Sequence, residues 1–137
     1  MTVVDASVFV NAEAVDGPAG EAARRALQPL SMLQVPAVFP AEVASAVGKM
    51  VLAGVLGEAR ARATLTALVD VARTDHAFEP FIGRVWELRY HLTVYDAWYV
   101  ALAEELETTL LTADGPLASA PGLRCAIQLI GPPAGSA

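Results

Sequence analysis

The hydrophobic and polar residues of this chain form two kinds of pattern in turn: short apolar runs typical of strands, and longer segments typical of helices. Four short runs of β-branched and aliphatic residues predict strands at residues 2–4, 33–35, 109–112 and 127–130. The longer segments between them have helical spacing or composition. They predict helices at residues 6–14, 19–28, 41–53, 58–73, 79–91 and 93–106. Strands separated by helices favour an α/β sandwich with a short, mostly parallel sheet.

Turn and cap residues indicate several of the boundaries. The pair Gly17-Pro18 separates the first two helices, and Pro40 suits the first turn of the third. Thr93 followed by Asp96 resembles a capping box, which places Asp96 in the first turn of the last long helix. The aromatic content of the preceding helix, which includes Trp86, suggests that its apolar face belongs to the core.

The length of 137 residues fits one ordinary domain. We expect a single domain over residues 1–130 and a flexible Gly/Pro tail over residues 131–137. The longest apolar stretch, residues 43–56, is interrupted by Lys49 and is shorter than the ~20 residues that cross a bilayer. No basic segment precedes an apolar one near the first residues, so we expect a cytoplasmic protein without a membrane partner.

The net charge of −6 has the wrong sign for a protein that holds nucleic acid through a broad basic surface. This objection weakens if several acids share a site for divalent cations, because the metal then inverts the local charge. One cysteine and two histidines cannot form a zinc-like cluster or an internal disulfide. The distribution of the acids therefore matters more than their number.

Four acids occupy positions that can carry chemistry. Asp5 and Asp114 each follow a predicted strand, while Glu42 and Asp96 each lie in the first turn of a predicted helix. Ligands of open α/β sheets bind outside the carboxyl ends of the strands, where such acids belong. The same positions are also ordinary for helix caps and turns, so from position alone each acid has both interpretations.

Taken in order, these segments resemble the PIN-domain nucleases, particularly the VapC-type toxins, over nearly the whole chain. Residues 3–7 (VVDAS) look like the opening strand and first acid, and residues 41–43 (AEV) match the second. Residues 95–103 (YDAWYVALA) carry the third acid and are the most specific match, and residues 110–114 (LLTAD) resemble the segment of the fourth.

The resemblance implies a PIN-like three-layer α/β/α sandwich whose sheet edge gathers Asp5, Glu42, Asp96 and Asp114. It implies a ribonuclease in which Mg²⁺ or Mn²⁺, held by these four carboxylates, activates water to hydrolyse an RNA phosphodiester. Hard oxygen ligands suit either metal. Glu42 is either a ligand or the group that orients the attacking water. The resemblance also implies a homodimer and a small antitoxin, and the 55% content of hydrophobic residues fits such partners.

Further side chains are candidates for supporting roles. The hydroxyls of Ser7 and Thr112 either orient an acid or only cap the adjacent helix. Arg84 and Arg89 either clamp phosphate, pair with a carboxylate or lie on a solvated face. The four aromatic residues nearest the third acid suggest core or dimer packing more than base stacking. These residues are Trp86, Tyr95, Trp98 and Tyr99.

Three other classes of protein share part of this pattern. A haloacid-dehalogenase phosphatase needs a second Asp two residues after the first, where this chain has Ser7. A receiver domain needs a lysine late in the sheet, and the sole lysine, Lys49, comes too early. A PIN-like fold kept as a protein-binding module without turnover remains the main alternative, although all four acidic positions are filled.

Overall fold

The computed structural model describes residues 1–132 and contains a five-stranded sheet in which every paired strand is parallel. The strand order is β3-β2-β1-β4-β5. The strands are β1 (Val3–Val4), β2 (Leu33–Pro36), β3 (Arg73–His76), β4 (Leu110–Thr112) and β5 (Ile127–Leu129). The predicted α/β sandwich with a short parallel sheet is therefore confirmed.

Seven α-helices within residues 1–132 cover the two faces of the sheet. They are α1 (Ala6–Ala14), α2 (Gly17–Leu27), α3 (Phe39–Leu52), α4 (Glu58–Asp70), α5 (Ile82–Glu87), α6 (Val94–Glu105) and α7 (Gly115–Ala118), with a 3-10 turn at Glu79–Phe81. Helix α1 packs with α2, α3 and α4, whereas α6 packs with α5 and lies across β1, β2 and β4. The two groups of helices give the three layers α/β/α.

Strand β1 lies at the centre of the sheet, and the chain fills the sheet outward from it in two directions. The path runs from β1 to β2 and β3 on one side, and later adds β4 and β5 on the other. Val3 pairs with Gln34 of β2 and with Leu110 of β4. The carboxyl ends of β1 and β4 therefore form the topological switch point, which is the usual position of a ligand crevice in this architecture.

The core lies on both faces of β1 and β4, which consist entirely of buried aliphatic residues apart from Thr112. Phe9 of α1 and Phe39 of α3 pack edge to face on one side, with ring centroids 5.7 Å apart. Seven consecutive residues of α6, from Ala97 to Ala103, are buried. A helix that is apolar all round must be enclosed by protein, and this one is. The core therefore holds α1 and α6, the helices on either side of the switch point, in place.

The structure agrees with the predicted helix at residues 6–14 and corrects several other elements. Strand β3 was not predicted, and the helix expected at residues 58–73 ends at Asp70 to make room for it. The helix expected at residues 79–91 is reduced to the 3-10 turn and the six residues of α5. The short α7 was also not predicted. Most of the expected flexible tail, residues 133–137, lies outside the described residues.

The prediction that Trp86 packs in the core or in a dimer interface is wrong for the core, because 63% of its surface is exposed in the single chain. Helix α5 is so short that only Val85 is buried on it. Tyr95 is also exposed, whereas Trp98 and Tyr99 are buried as core packing requires. Between residues 1 and 132, no helix combines the length and the apolar composition that crossing a bilayer requires.

Candidate active site

Asp5 follows β1 directly and is a buried carboxylate at the switch point. Its Oδ2 accepts hydrogen bonds from Ser7 Oγ at 2.6 Å and from Thr112 Oγ1 at 2.8 Å. The backbone N–H of Asp5 donates to the carbonyl of Leu111, which locks the acid to β4. One oxygen of Asp5 is thus oriented by two hydroxyls, one from each side of the crevice.

Those hydroxyls also tie the fourth acid to the first. Thr112 Oγ1 accepts a hydrogen bond from the backbone N–H of Asp114, and Ser7 Oγ accepts one from Ala113, both at 3.0 Å. The Asp114 side chain caps α7 by accepting from the N–H of Leu117 at 3.1 Å. Ser7 and Thr112 therefore contact Asp5 itself, and neither caps a helix with its side chain. Asp114 does act as a cap, and only one of its carboxylate oxygens is engaged in doing so.

Glu42 and Asp96 reach the same edge of the sheet on helices. Glu42 lies in the first turn of α3, which begins soon after the carboxyl end of β2. Asp96 lies in the first turn of α6, where Thr93 Oγ1 accepts its backbone N–H at 3.1 Å. Because α6 returns the chain to the start of β4, its first turn lies at the carboxyl edge. Both carboxylates are half-buried.

Burial and repulsion between the acids raise the pKa of Asp5, Glu42 and Asp96. Burial raises the pKa of Asp5 above its ordinary value, and the charge of Asp114 raises it further against the hydrogen bonds of Ser7 and Thr112. Burial likewise raises the pKa of Asp96, with added repulsion from Asp5 and Asp114. The structure therefore brings the carboxylates within electrostatic range of one another, and their mutual repulsion favours a bound proton or cation.

Glu42 completes the set and has an unusual environment. Burial raises its pKa, Tyr99 opposes that rise, and the charges of Asp5 and Asp96 add to it. Within residues 1–132, neither Oε1 of Glu42 nor the hydroxyl of Tyr99 has a hydrogen-bond partner, although both atoms are buried. A buried carboxylate oxygen without a partner costs free energy and calls for a water or a cation.

Tyr99 is a site residue that the sequence analysis missed, since it was assigned only to packing or stacking. Its pKa is raised by burial first and then by the charges of Glu42 and Asp5, so it stays a neutral phenol. Tyr99 lies three residues after Asp96 on α6, which puts both on one helix face. That spacing is the signal by which the sequence could have identified it.

The donor set fits a hard divalent cation in its chemistry. It consists of carboxylate oxygens that repel each other, with one buried oxygen left without a partner. Among the residues that the structure describes, no group of three or more His, Cys, Asp or Glu side chains has the spacing of a metal site. The carboxylates therefore lie at one edge of the sheet and repel one another, but they are not as close together as the ligands of one ion.

A cavity of about 510 Å³ adjoins Glu42, the only one of the four acids that lines it, and is also lined by Ser45, Lys49 and Tyr95. Lys49 places a positive charge about two turns after Glu42 on the same face of α3. A cavity of about 920 Å³ lies at the other end of α6, around Arg84 and Glu104, and none of the four acids lines it. The smaller cavity is therefore the one relevant to the acids.

The two candidate arginines have different environments. Arg84 Nε donates to Glu104 at 2.7 Å, and its Nη1 donates to Glu87 at 3.0 Å. Glu104 is at the end of α6, about 12 Å of helix rise from Asp96, so Arg84 is not brought to the acids. Arg89 is exposed, and its guanidinium stacks on Trp86 and on Tyr90. Arg84 pairs with carboxylates, whereas Arg89 pairs with none within residues 1–132.

Comparison with known proteins agrees with this geometry. The PIN domain family model matches residues 2–123. Ribonuclease VapC1 of Mycobacterium tuberculosis is 42% identical over 129 residues, which cover 93% of this chain and 96% of that protein. The crystal structure of Mycobacterium tuberculosis VapC20, a Sarcin-Ricin loop cleaving toxin, has a TM-score of 0.68 at 14% identity, covering 90% of this chain and 97% of that one.

A further solved structure has the same fold. VapBC2 from Rickettsia felis, bound to a DNA fragment from its promoter, has a TM-score of 0.65 at 14% identity, covering 94% of this chain and 98% of that chain. At such identities the structures share the fold alone, whereas the sequence relative and the family model show descent. The chain therefore belongs to the PIN-domain family and, within it, to the VapC ribonucleases.

Proposed function

We propose that this protein is a divalent-metal-dependent endoribonuclease that acts as the toxin of a toxin–antitoxin pair. The observation that carries the proposal is the set of mutually repelling carboxylates at the switch point, of which Glu42 keeps a buried oxygen without a partner. The relative VapC1 is a ribonuclease, and VapC20 is described as cleaving the Sarcin-Ricin loop, which is consistent with an RNA substrate.

Asp5, Glu42, Asp96 and Asp114 are the residues that would hold Mg²⁺ or Mn²⁺, either directly or through water. Such a cation activates water and neutralises the charge that develops on a phosphodiester under attack. Ser7 and Thr112 keep Asp5 in one orientation, so that its second oxygen faces the crevice with little loss of side-chain entropy.

Glu42 and Tyr99 have separate roles in the proposed mechanism. Glu42 either holds the cation or orients the attacking water, and its buried Oε1, which has no hydrogen-bond partner within residues 1–132, is the atom available for that role. Tyr99 stays protonated, so its buried hydroxyl, which has no partner within residues 1–132, is a donor available to Glu42 or to a water between them. Lys49, which lines the adjoining cavity with Glu42, attracts the RNA backbone to the crevice.

An antitoxin and a second copy of the chain are the proposed protein partners. Large apolar side chains are exposed at the end of α3, in the turn after it and near the end of α4: Leu52, Val55 and Val69. Exposed apolar side chains of this size are candidate contacts for a protein partner. The solved VapBC2 assembly from Rickettsia felis pairs a protein of this fold with its VapB partner, which supports the same arrangement here.

A protein-binding module without turnover is the second candidate function. It is favoured by the absence, among residues 1–132, of any acid cluster already spaced as a metal site. A module of this kind would still bind an antitoxin and would leave RNA intact. Cleavage by the purified protein separates the two functions.

The test is cleavage of structured RNA by the purified protein in Mg²⁺ and in Mn²⁺, with Asp96→Asn as the variant. This variant keeps the size of the side chain and the Thr93 cap, which uses only the backbone N–H. We expect it to retain its fold by circular dichroism and to lose RNA cleavage and growth inhibition together.

Glu105→Gln is the matched control, because it removes one acid from an exposed position of the same helix. It should cleave RNA at the rate of the unmodified protein. Wild-type cleavage by Asp96→Asn would remove Asp96 from the mechanism. Failure of the unmodified protein to cleave any RNA with either metal would leave the binding module as the function.

A further inference from the structure

The exposed side chains of Trp86, Arg89 and Tyr90 form a stack on the surface beside α5. The guanidinium carbon of Arg89 lies 4.5 Å from the ring centroid of Trp86 and 4.4 Å from that of Tyr90. Trp86 is 63% exposed and Tyr90 is 78% exposed. Tryptophan is highly buried on average, so an exposed one held in an ordered stack requires a reason.

Two hydrogen bonds fix the guanidinium within this stack. Arg89 Nη1 donates to the carbonyl of Trp86 at 2.6 Å, and Nη2 donates to the hydroxyl of Tyr90 at 3.1 Å. A guanidinium has five N–H groups, and the side chain of Arg89 has no other partner within residues 1–132. The remaining N–H donors and the outer faces of the two rings therefore face solvent in fixed positions.

The charge of Arg89 is uncompensated in the part of the chain that the structure describes. The ion pairs found there involve Arg60, Arg62, Arg73, Arg84 and Arg124. The protein has a net charge of −6, and the positive charge of an arginine without a carboxylate partner attracts phosphate at this position.

The segment that carries the stack leads directly into the first turn of α6. Arg84, at the middle of α5, pairs with Glu104 at the far end of α6. The chain then runs from Trp86 past Tyr90 to the first turn of α6, where Asp96 lies. Six residues separate Tyr90 from Asp96, so their Cα atoms are at most about 20 Å apart. A short run of single-stranded nucleotides bridges that distance.

We infer that Trp86, Arg89 and Tyr90 are a binding site for single-stranded RNA bases that lie next to the phosphodiester to be cut. This inference rests on the proposed ribonuclease function and adds the residues that hold the substrate. Bases splayed from single-stranded RNA stack on aromatic rings and on arginine planes, with no need for a broad basic surface. The site therefore accounts for how an acidic protein retains RNA.

The test follows the fluorescence of Trp86. The sequence contains two tryptophans, so Trp98→Phe leaves Trp86 as the only one. In this protein, with Asp96→Asn added to keep the RNA intact, a mixed-sequence 12-nucleotide single-stranded RNA should quench Trp86 emission in a saturable manner. The same sequence annealed into a perfect duplex should quench it little, because its bases are already stacked.

Kinetics of the otherwise unmodified protein supply the second readout. Trp86→Ala should raise KM for a single-stranded RNA roughly 5- to 100-fold, the range expected for loss of one stacked base, with kcat nearly unchanged. Trp86→Phe should restore most of the affinity, since it keeps an aromatic face. Met32→Ala is the control, because Met32 is an exposed apolar side chain at the amino end of β2, the opposite edge of the sheet from the acids.

The outcomes separate this inference from the function on which it rests. An unchanged KM in Trp86→Ala and no quenching, in a protein that cleaves RNA, overturns the stacking site alone. Quenching without any cleavage by the unmodified protein overturns the nuclease proposal and leaves an RNA-binding surface. A loss of dimer mass in Trp86→Ala, with no quenching of Trp86 by RNA, assigns the stack to a subunit interface and overturns the inference.

Discussion

Trp98 anchors the helix that carries Asp96, and its removal gives a measurable loss of stability. The side chain is 7% exposed and packs edge to face on Phe78, with ring centroids 5.0 Å apart and an interplanar angle of 75°. Deletion of a large aromatic side chain from a core costs about 3–5 kcal/mol. The pair with Phe78 supplies about 0.5–1.5 kcal/mol of this.

Trp98→Ala should therefore lower the free energy of unfolding by about 3–5 kcal/mol. For a domain of this size, that loss corresponds to a fall in Tm of roughly 10–20 °C. The assay is urea unfolding followed by circular dichroism, with the denaturant slope compared between proteins. An equal slope assigns the change to stability and not to a more compact unfolded state.

The indole nitrogen of Trp98 allows a second test of this prediction. Nε1 of Trp98 is buried without a hydrogen-bond partner within residues 1–132. A buried donor left unpaired costs about 1–3 kcal/mol. Trp98→Phe removes that donor and keeps the contact with Phe78, so its loss of stability should stay within about 1 kcal/mol.

Trp86→Ala is the control, since it makes the same chemical change at an exposed position. It should cost less than about 1 kcal/mol, the value of an exposed cation–π contact. A Trp98→Ala protein as stable as Trp86→Ala would refute the assignment of Trp98 to the core. So would a Trp98→Phe protein as unstable as Trp98→Ala, because the ring contact would then carry no weight.

The remaining predictions concern the acids and their neighbours. Thr112→Val removes a hydroxyl that binds Asp5, so metal-dependent cleavage should fall roughly 10- to 100-fold; Thr66→Val, at an exposed position of α4, should leave the rate unchanged, and equal rates in both variants would contradict the orienting role. Mg²⁺ at 100 times its Kd should stabilise the protein by about 2.7 kcal/mol in thermal unfolding, and EDTA should reverse this; an undiminished shift in Asp5→Asn would place the ion elsewhere. Burial raises the pKa of Glu104, but the hydrogen bonds and charge of Arg84 lower it overall below 4.5, so its stabilisation is present above that pH and is lost as the pH falls through the lowered value. Glu104→Gln should therefore flatten the loss of stability on acidification, and an unchanged pH profile of unfolding would count against this ion pair.

The elements that the sequence predicts well are those whose signal is local. Helix α1 is found with its bounds at residues 6–14, and Thr93 caps α6 as its spacing indicates. Local patterns place the four acids at strand ends and in the first turns of helices. Parallel strands share a carboxyl edge, which brings these positions to one side of the sheet. The resemblance to PIN-domain nucleases then supplied their grouping, which no local pattern contains.

The elements that were missed depend on tertiary contacts. Strand β3 has the sequence RTDH, with no alternation of apolar residues, and it forms only because β2 offers a free edge. The exposure of Trp86 could not be read from spacing, since a helix of six residues buries one side chain where a longer one buries a stripe. The hydroxyl bonds from Ser7 and Thr112 to Asp5 join distant segments, so they also needed the fold.

The pairing of the first strand with the fourth has a consequence for synthesis of the protein. Asp5 and Thr112 are 107 positions apart and share a hydrogen bond, and Asp114 follows two residues later. The centre of the sheet stays open until β4 has been synthesised, so Asp114 joins Asp5 only after the 107 positions that separate Asp5 from Thr112 have been translated. Contacts of this sequence separation make folding slow. On the proposed function, a nascent chain that lacks β4 has an incomplete set of carboxylates and is not expected to cleave RNA.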